Sequence, residues 1–297
     1  MKTKLFIGTA FLIGLASCKS GDTGSSYDPT LLDSGAINAI TEAGYRAYVE
    51  KLASDEFMGR MPFTKGDTLT VNYLEEQFKA LGLEPGNGNS YFQEVPMVEI
   101  KSEPVAPKLT FTGKNSTLSI NYLDDYVVGT PRMSNNIDIK DTELVFAGFG
   151  IVAPEYKWND YEGLDVKGKT VVVMVSDPGR YDKTLFKADT MTYYGRWTYK
   201  FEEASRQGAA GVLIIHETAA ASYGWNVVRS GWTGPQLSLV PENKGANLVN
   251  FQGWVTTETA NKLFQLGGLN PNIIEQAKKP GFKAVPMNVK TSIALKT

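Results

Sequence analysis

Residues 167–179 read KGKTVVVMVSDPG, residues 193–211 read YYGRWTYKFEEASRQGAAG, and VLIIH follows at 212–216. The apolar runs Thr170 to Val175 and Gly211 to Ile215 are too short for free-standing helices and are rich in β-branched residues. That combination predicts strands buried on both faces. Between them Tyr194, Trp197, Phe201 and Ala204 recur at helical spacing, with Lys200, Glu203 and Arg206 on other faces. A strand-helix-strand unit of this kind makes its two strands parallel and its crossover right-handed. The fold class is therefore α/β with a βαβ core.

The N-terminus, MKTKLFIGTAFLIGLASCKSG, sets two lysines before a short apolar core from Leu5 to Leu15. That core is shorter than the roughly 20 residues that span a bilayer, so residues 1–17 read as a signal peptide rather than a membrane helix. Leu15-Ala16-Ser17-Cys18 resembles the bacterial lipobox, which predicts acylation of Cys18 and an exported protein lipid-anchored to a bacterial membrane. Residues 18–40, rich in Gly, Ser, Asp and Thr at their start, read as a tether. Cys18 is the only cysteine, so no intramolecular disulfide can form. A net charge of −2 removes the case for a nucleic-acid partner, which would leave a basic footprint.

Further along, a helix is predicted over Thr41 to Ser54, with Thr41 as cap and Tyr45, Val49 and Leu52 on one face. A second runs from about Thr68 to Leu81, presenting Val71, Leu74 and Phe78 and stopped by Gly82. Tyr91 to Ile100 alternates as a strand, and 104–136 suits β-structure at a domain edge. Later helices are predicted at 257–266 and 272–278, and Val289, Ile293 and Leu295 mark a final strand.

Two blocks carry a family resemblance. ELVFAGFGIVAPEYKWNDYEGLDVKGKTVVVMVSDPG (143–179), followed by YYGRWTYKFEEASRQGAAGVLIIHE (193–217), resembles the protease-associated domain inserted into secreted di-zinc aminopeptidases, the aminopeptidase Y and glutamate carboxypeptidase family. YVEKLASDEFMGR (48–60) and NYLEEQFKALGLEP (72–85) are similar to the opening of the peptidase domain itself. The resemblance covers about residues 41 to 297, the part of the family that precedes its zinc ligands. It implies the N-terminal part of a peptidase domain at 41–123, a protease-associated domain at 124–279, and at 280–297 a strand re-entering the catalytic domain. It further implies peptide or protein substrates, and two zinc ions in the full-length family member. The faces of the first two helices would then be matched to a peptidase sheet that this chain mostly lacks.

A co-catalytic zinc pair needs about five deprotonated donors, usually with histidine among them. This chain has one histidine, and His216-Glu217-Thr218 does not match the family's His-x-Asp. Glu75-Glu76 and Glu202-Glu203 lie within amphipathic helices, where a solvated face is the simpler reading. No catalytic or metal residue is assigned, and the chain alone is predicted inactive. No Gly-x-Ser-x-Gly elbow is present, and Gly148-Phe149-Gly150 leads into Pro154 without opening a helix. Tyr194, Arg196 and Trp197, at the start of the central helix, form the candidate substrate cleft: aromatic faces with a fixed cation that can orient a peptide. Trp225, Arg229 and Trp232 are candidates for a facing wall. Two readings follow, an exported zinc aminopeptidase portion and a non-catalytic peptide- or protein-binding surface lipoprotein.

Overall fold

The computed structural model describes residues 34–270 and 272–297; the segment read as a signal peptide, Cys18 and most of the segment read as a tether lie outside the described residues. Its contacts divide the chain into two compact units, 1–93 and 94–297.

In the first unit, helices α1 (Ser34–Ala39), α2 (Glu42–Leu52) and α3 (Lys65–Ala80) form where the apolar spacing is helical. The Thr41 hydroxyl caps α2 by accepting from the Gly44 N–H, as its position implies. Gly66 is required by close approach, because a Cβ there would lie 2.3 Å from the Phe57 carbonyl. Phe57, edge-on to Tyr73 at 5.9 Å, is the one buried hydrophobic side chain among the described residues of this unit. Tyr45 is 67% exposed, Val49 46% and Phe78 42%, so the apolar faces of α2 and α3 meet solvent.

The second unit is organised by β9 (Thr170–Met174) and β10 (Gly211–His216), which pair in parallel from Gly211 opposite Thr170 to Ile215 opposite Met174. Every residue of both strands is buried, which explains their unbroken apolar runs. Helix α4 (Trp197–Arg206) joins them and sets Phe201 and Ala204 against Val171, Val173, Val212 and Ile214. On the opposite face, Ala260, Leu263 and Phe264 of α7 (Thr257–Leu266) and Ile273 of α8 (Ile273–Ala277) pack with Val172, Met174, Leu213 and Val255. Parallel pairing extends to β6 (Asn136–Phe146) beside β9 and to β12 (Phe251–Thr256) beside β10. Beyond β12, β5 (Tyr126–Gly129) forms one antiparallel edge of the sheet.

On the far side, β13 (Val285–Lys296) lies antiparallel between β6 and β3 (Lys108–Thr112). Strand β4 (Thr117–Asn121) closes that edge, and β2 (Glu103–Pro104) pairs the end of β13, making nine strands. Two short ribbons stand apart: β1 (Met97–Ile100) with β11 (Gln236–Leu239), and β7 (Val152–Ala153) with β8 (Trp158–Asn159). Helices α5 (Thr218–Ala221) and α6 (Trp225–Gly231) add Ala220 and Val228 to the α4 face.

Three expectations change. The last strand does not leave for a separate catalytic sheet. Its alternating Met287, Val289, Thr291, Ile293 and Leu295 are buried, and β6 supplies an eleven-residue edge that pairs with it. The segment 108–121, assigned with the peptidase portion, belongs to this same sheet, and the contact boundary falls after Gln93 rather than after residue 123. The strand predicted over 91–100 is regular only at Met97–Ile100 and pairs with β11.

Candidate functional site

Between the β5 edge, α6 and the β1–β11 ribbon lies a cleft of about 410 Å³. Trp197 enters it from the first turn of α4 and Trp232 from the C-terminal end of α6. The two indoles are held by Phe201, edge-on to Trp197 at 5.7 Å and to Trp232 at 5.9 Å. Val128 and Gly129 of β5, Tyr223 and Trp254 complete the part nearest the sheet. Trp254 is 1% exposed, and its indole N–H has no hydrogen-bond partner. A buried donor left unpaired costs about 1–3 kcal/mol; Trp158 Nε1 and the Tyr161 hydroxyl are buried and unpaired as well.

The predicted site residues therefore separate. Trp197 lies in the cleft and is 39% exposed, so it is not the core residue that its helical spacing implies; Phe201, four residues on, fills that role. Arg196 is exposed beside it and makes no ion pair or side-chain hydrogen bond among the described residues, although its charge reaches the Tyr223 hydroxyl. Tyr194 points elsewhere: its hydroxyl donates to Glu155 at 2.6 Å and its ring sits among Tyr156, Phe186 and Tyr199. The bond to Glu155, with some burial, pushes its pKa up to about 12. Of the facing wall only Trp232 takes part. Trp225 donates its indole N–H to the Leu123 carbonyl at 2.9 Å, and Arg229 pairs with Asp124 at 3.4 Å. Tyr223, Val128 and Trp254 were not legible as site residues, since none belongs to a motif: strand pairing brings Val128 and Trp254 together, and Tyr223 arrives on the turn between α5 and α6.

A second polar centre lies inside α4. Lys200 and Glu203, which the helical pattern places away from the apolar stripe, are both buried. The Lys200 ammonium donates to the carbonyls of Ser176 at 2.9 Å and Tyr194 at 2.6 Å. Burial pushes its pKa down, against the attraction of Asp160 and Asp177. Burial likewise raises the carboxyl of Asp160, whose Oδ2 accepts from the Ile151 N–H. Ser176 holds φ at +73°, a left-handed conformation that a serine keeps only when its surroundings enforce it. Glu203 accepts from Tyr199, Arg206 and Gln207, which satisfies its charge within the helix.

These groups do not fit a zinc pair. His216 is buried with Nε2 3.0 Å from the Tyr223 carbonyl and is flanked by Trp225 and Trp254, and burial pushes its pKa down. Among the described residues no three His, Cys, Asp or Glu side chains gather closely enough to hold a metal ion. Nor is any helix among them long and apolar enough to cross a membrane.

No protein-family model matches the chain, and no curated protein matches it. Among solved structures, an aminopeptidase from Aneurinibacillus sp. strain AM-1 aligns with 78% of this chain at 18% identity and a TM-score of 0.32. The chain spans 40% of the length of that aminopeptidase.

Proposed function

We propose that the cleft binds a peptide segment, and that the chain is the substrate-handling, protease-associated portion of an exported zinc-dependent aminopeptidase, held at a membrane surface through lipid on Cys18. One observation carries the peptide reading: Trp197, Trp232 and Trp254 meet in a single cleft of about 410 Å³. Aromatic walls are what ligand recognition needs for apolar side chains, and the exposed Arg196 beside Trp197 offers a cation to a peptide's carbonyl or carboxylate. The sequence resemblance of 48–85 and 143–217 supports the peptidase assignment. Among the described residues no donors gather that suit two zinc ions, so the part proposed for these residues is to hold a peptide.

The test is a titration of the chain with acetyl-Ala-Phe-Ala-amide, followed by tryptophan emission. A saturable change should appear and should vanish in Trp232→Ala, with the circular dichroism spectrum retained. Absence of any saturable change, or an unaltered response in that variant, sinks the reading.

A further inference from the structure

The chain leaves the carboxyl ends of three neighbouring parallel strands in two directions. From β9 it runs to α4, and from β10 to α5 and α6, whose Phe201, Ala220 and Val228 pack on one face of the sheet. From β12 it runs to α7, whose Ala260, Leu263 and Phe264 pack on the other face. Divergent exits of this kind open a crevice outside the strand ends, which is where open α/β sheets bind ligands. A cleft of about 350 Å³ lies there. Its floor is Met174 and Val175 at the end of β9 and Ile215 of β10, all buried, with Ile274 of α8 half-buried beside them. The Thr257 hydroxyl donates to the His216 carbonyl at 2.6 Å, which ties the first turn of α7 to the end of β10.

The charged groups lining this crevice are unequally matched. Lys278 pairs with Glu275 at 2.6 Å and lies 4.4 Å from the centre of the Tyr181 ring, so its charge is already met. Glu217 is half-buried and accepts from the Tyr181 hydroxyl at 2.8 Å through Oε2, but it makes no ion pair among the described residues. Two carboxylates thus stand against one ammonium over an apolar floor. We propose that the crevice binds a primary ammonium carried on a short apolar chain, the ammonium pairing with Glu217 and the chain lying on Met174, Val175 and Ile215. An ammonium has three donors, which the second oxygen of Glu217 and the side-chain carbonyl of Asn261, one turn into α7, are placed to accept. A free amine and the amino end of a larger molecule both present this chemistry. The crevice shares no lining residue with the Trp197–Trp232 cleft, so it stands or falls apart from the peptide reading.

Calorimetry on the full chain compares isoamylamine with isoamyl alcohol and leucinamide with N-acetyl-leucinamide, each pair differing by the charge. At least one ammonium compound should bind saturably, and its uncharged counterpart should bind more weakly by about tenfold or more. Tighter binding of isoamylamine assigns a free amine, and tighter binding of leucinamide assigns an amino end. Glu217→Gln keeps an acceptor for the Tyr181 hydroxyl and should lose about tenfold or more in affinity for the ammonium compound. No saturable binding of either ammonium compound, equal binding within each pair, or unchanged affinity in Glu217→Gln would each overturn the site. Should Glu217→Gln fail to fold, the ligand pairs decide alone, since they leave the protein unaltered.

Discussion

Replacing Lys200 by methionine removes a fully buried ammonium while keeping most of its volume. Two carbonyls, Ser176 and Tyr194, then lose a charged donor, and a hydrogen bond to a charged group contributes about 1.5–3 kcal/mol each. Asp160 and Asp177, both 1% exposed, lose the cation that attracts them. Removing one member of a buried ionic group costs about 3–5 kcal/mol. Part of the loss is offset because methionine carries no desolvation cost. The expected net destabilisation is therefore about 3 kcal/mol, at the lower end of that range. Urea unfolding monitored by circular dichroism should show a lower midpoint at unchanged slope. Adding Asp160→Asn to Lys200→Met should cost less than the sum of the two single changes, by about 0.5–3 kcal/mol, because the double variant leaves fewer unmatched charges. A single-variant loss below about 1 kcal/mol, or strictly additive costs, would refute the reasoning that the Lys200 charge is stabilised by these two carbonyls and two aspartates.

Phe201→Ala should cost about 3–5 kcal/mol by opening a cavity under α4, whereas Trp197→Ala should weaken peptide binding and leave the unit folded; thermal melts of the pair separate the two roles. His216 is held neutral by burial, so its contribution is complete above its ordinary pKa of 6.5 and is lost as pH falls below that value towards the depressed folded pKa. His216→Asn should flatten that acid-side decline in melting temperature, and an unchanged slope would assign the decline to other groups. Amide exchange should be fast over 42–80, where Phe57 alone is buried among the described hydrophobic side chains, and slow over 170–174 and 211–216. Equal protection of both would show that α2 and α3 have found a partner surface. Cys18→Ser should move the protein from the membrane to the soluble fraction, and full retention at the membrane would refute lipid anchoring.

The βαβ core was legible because its signal is local. Uninterrupted β-branched runs at 170–175 and 211–215 admit strands and little else, and Phe201 and Ala204 fall on the buried side of the helix between them. The extents of α2 and α7 followed from caps and stops for the same reason. Lys200 escaped that logic. A lysine in an amphipathic helix reads as solvated; here the loop after β9, arriving from 24 residues away with the Ser176 carbonyl, joins the Tyr194 carbonyl in giving its charge a buried partner. Trp197 erred the other way, because apolar spacing identifies a face and cannot say where along the helix the sheet ends.

Sequence alone thus determined the α/β class, the central strands and the aromatic cluster at 193–197, all properties of short stretches and their periodicity. Tertiary structure alone decided the rest. Strand β13 pairs with β6 across about 150 residues, and β5 is the last strand of that sheet among the described residues. The cleft that follows joins Val128, Trp197, Trp232 and Trp254 from four different elements. Strand order and register are set by which distant edges remain free to hydrogen-bond, a competition among long-range partners that no local pattern encodes.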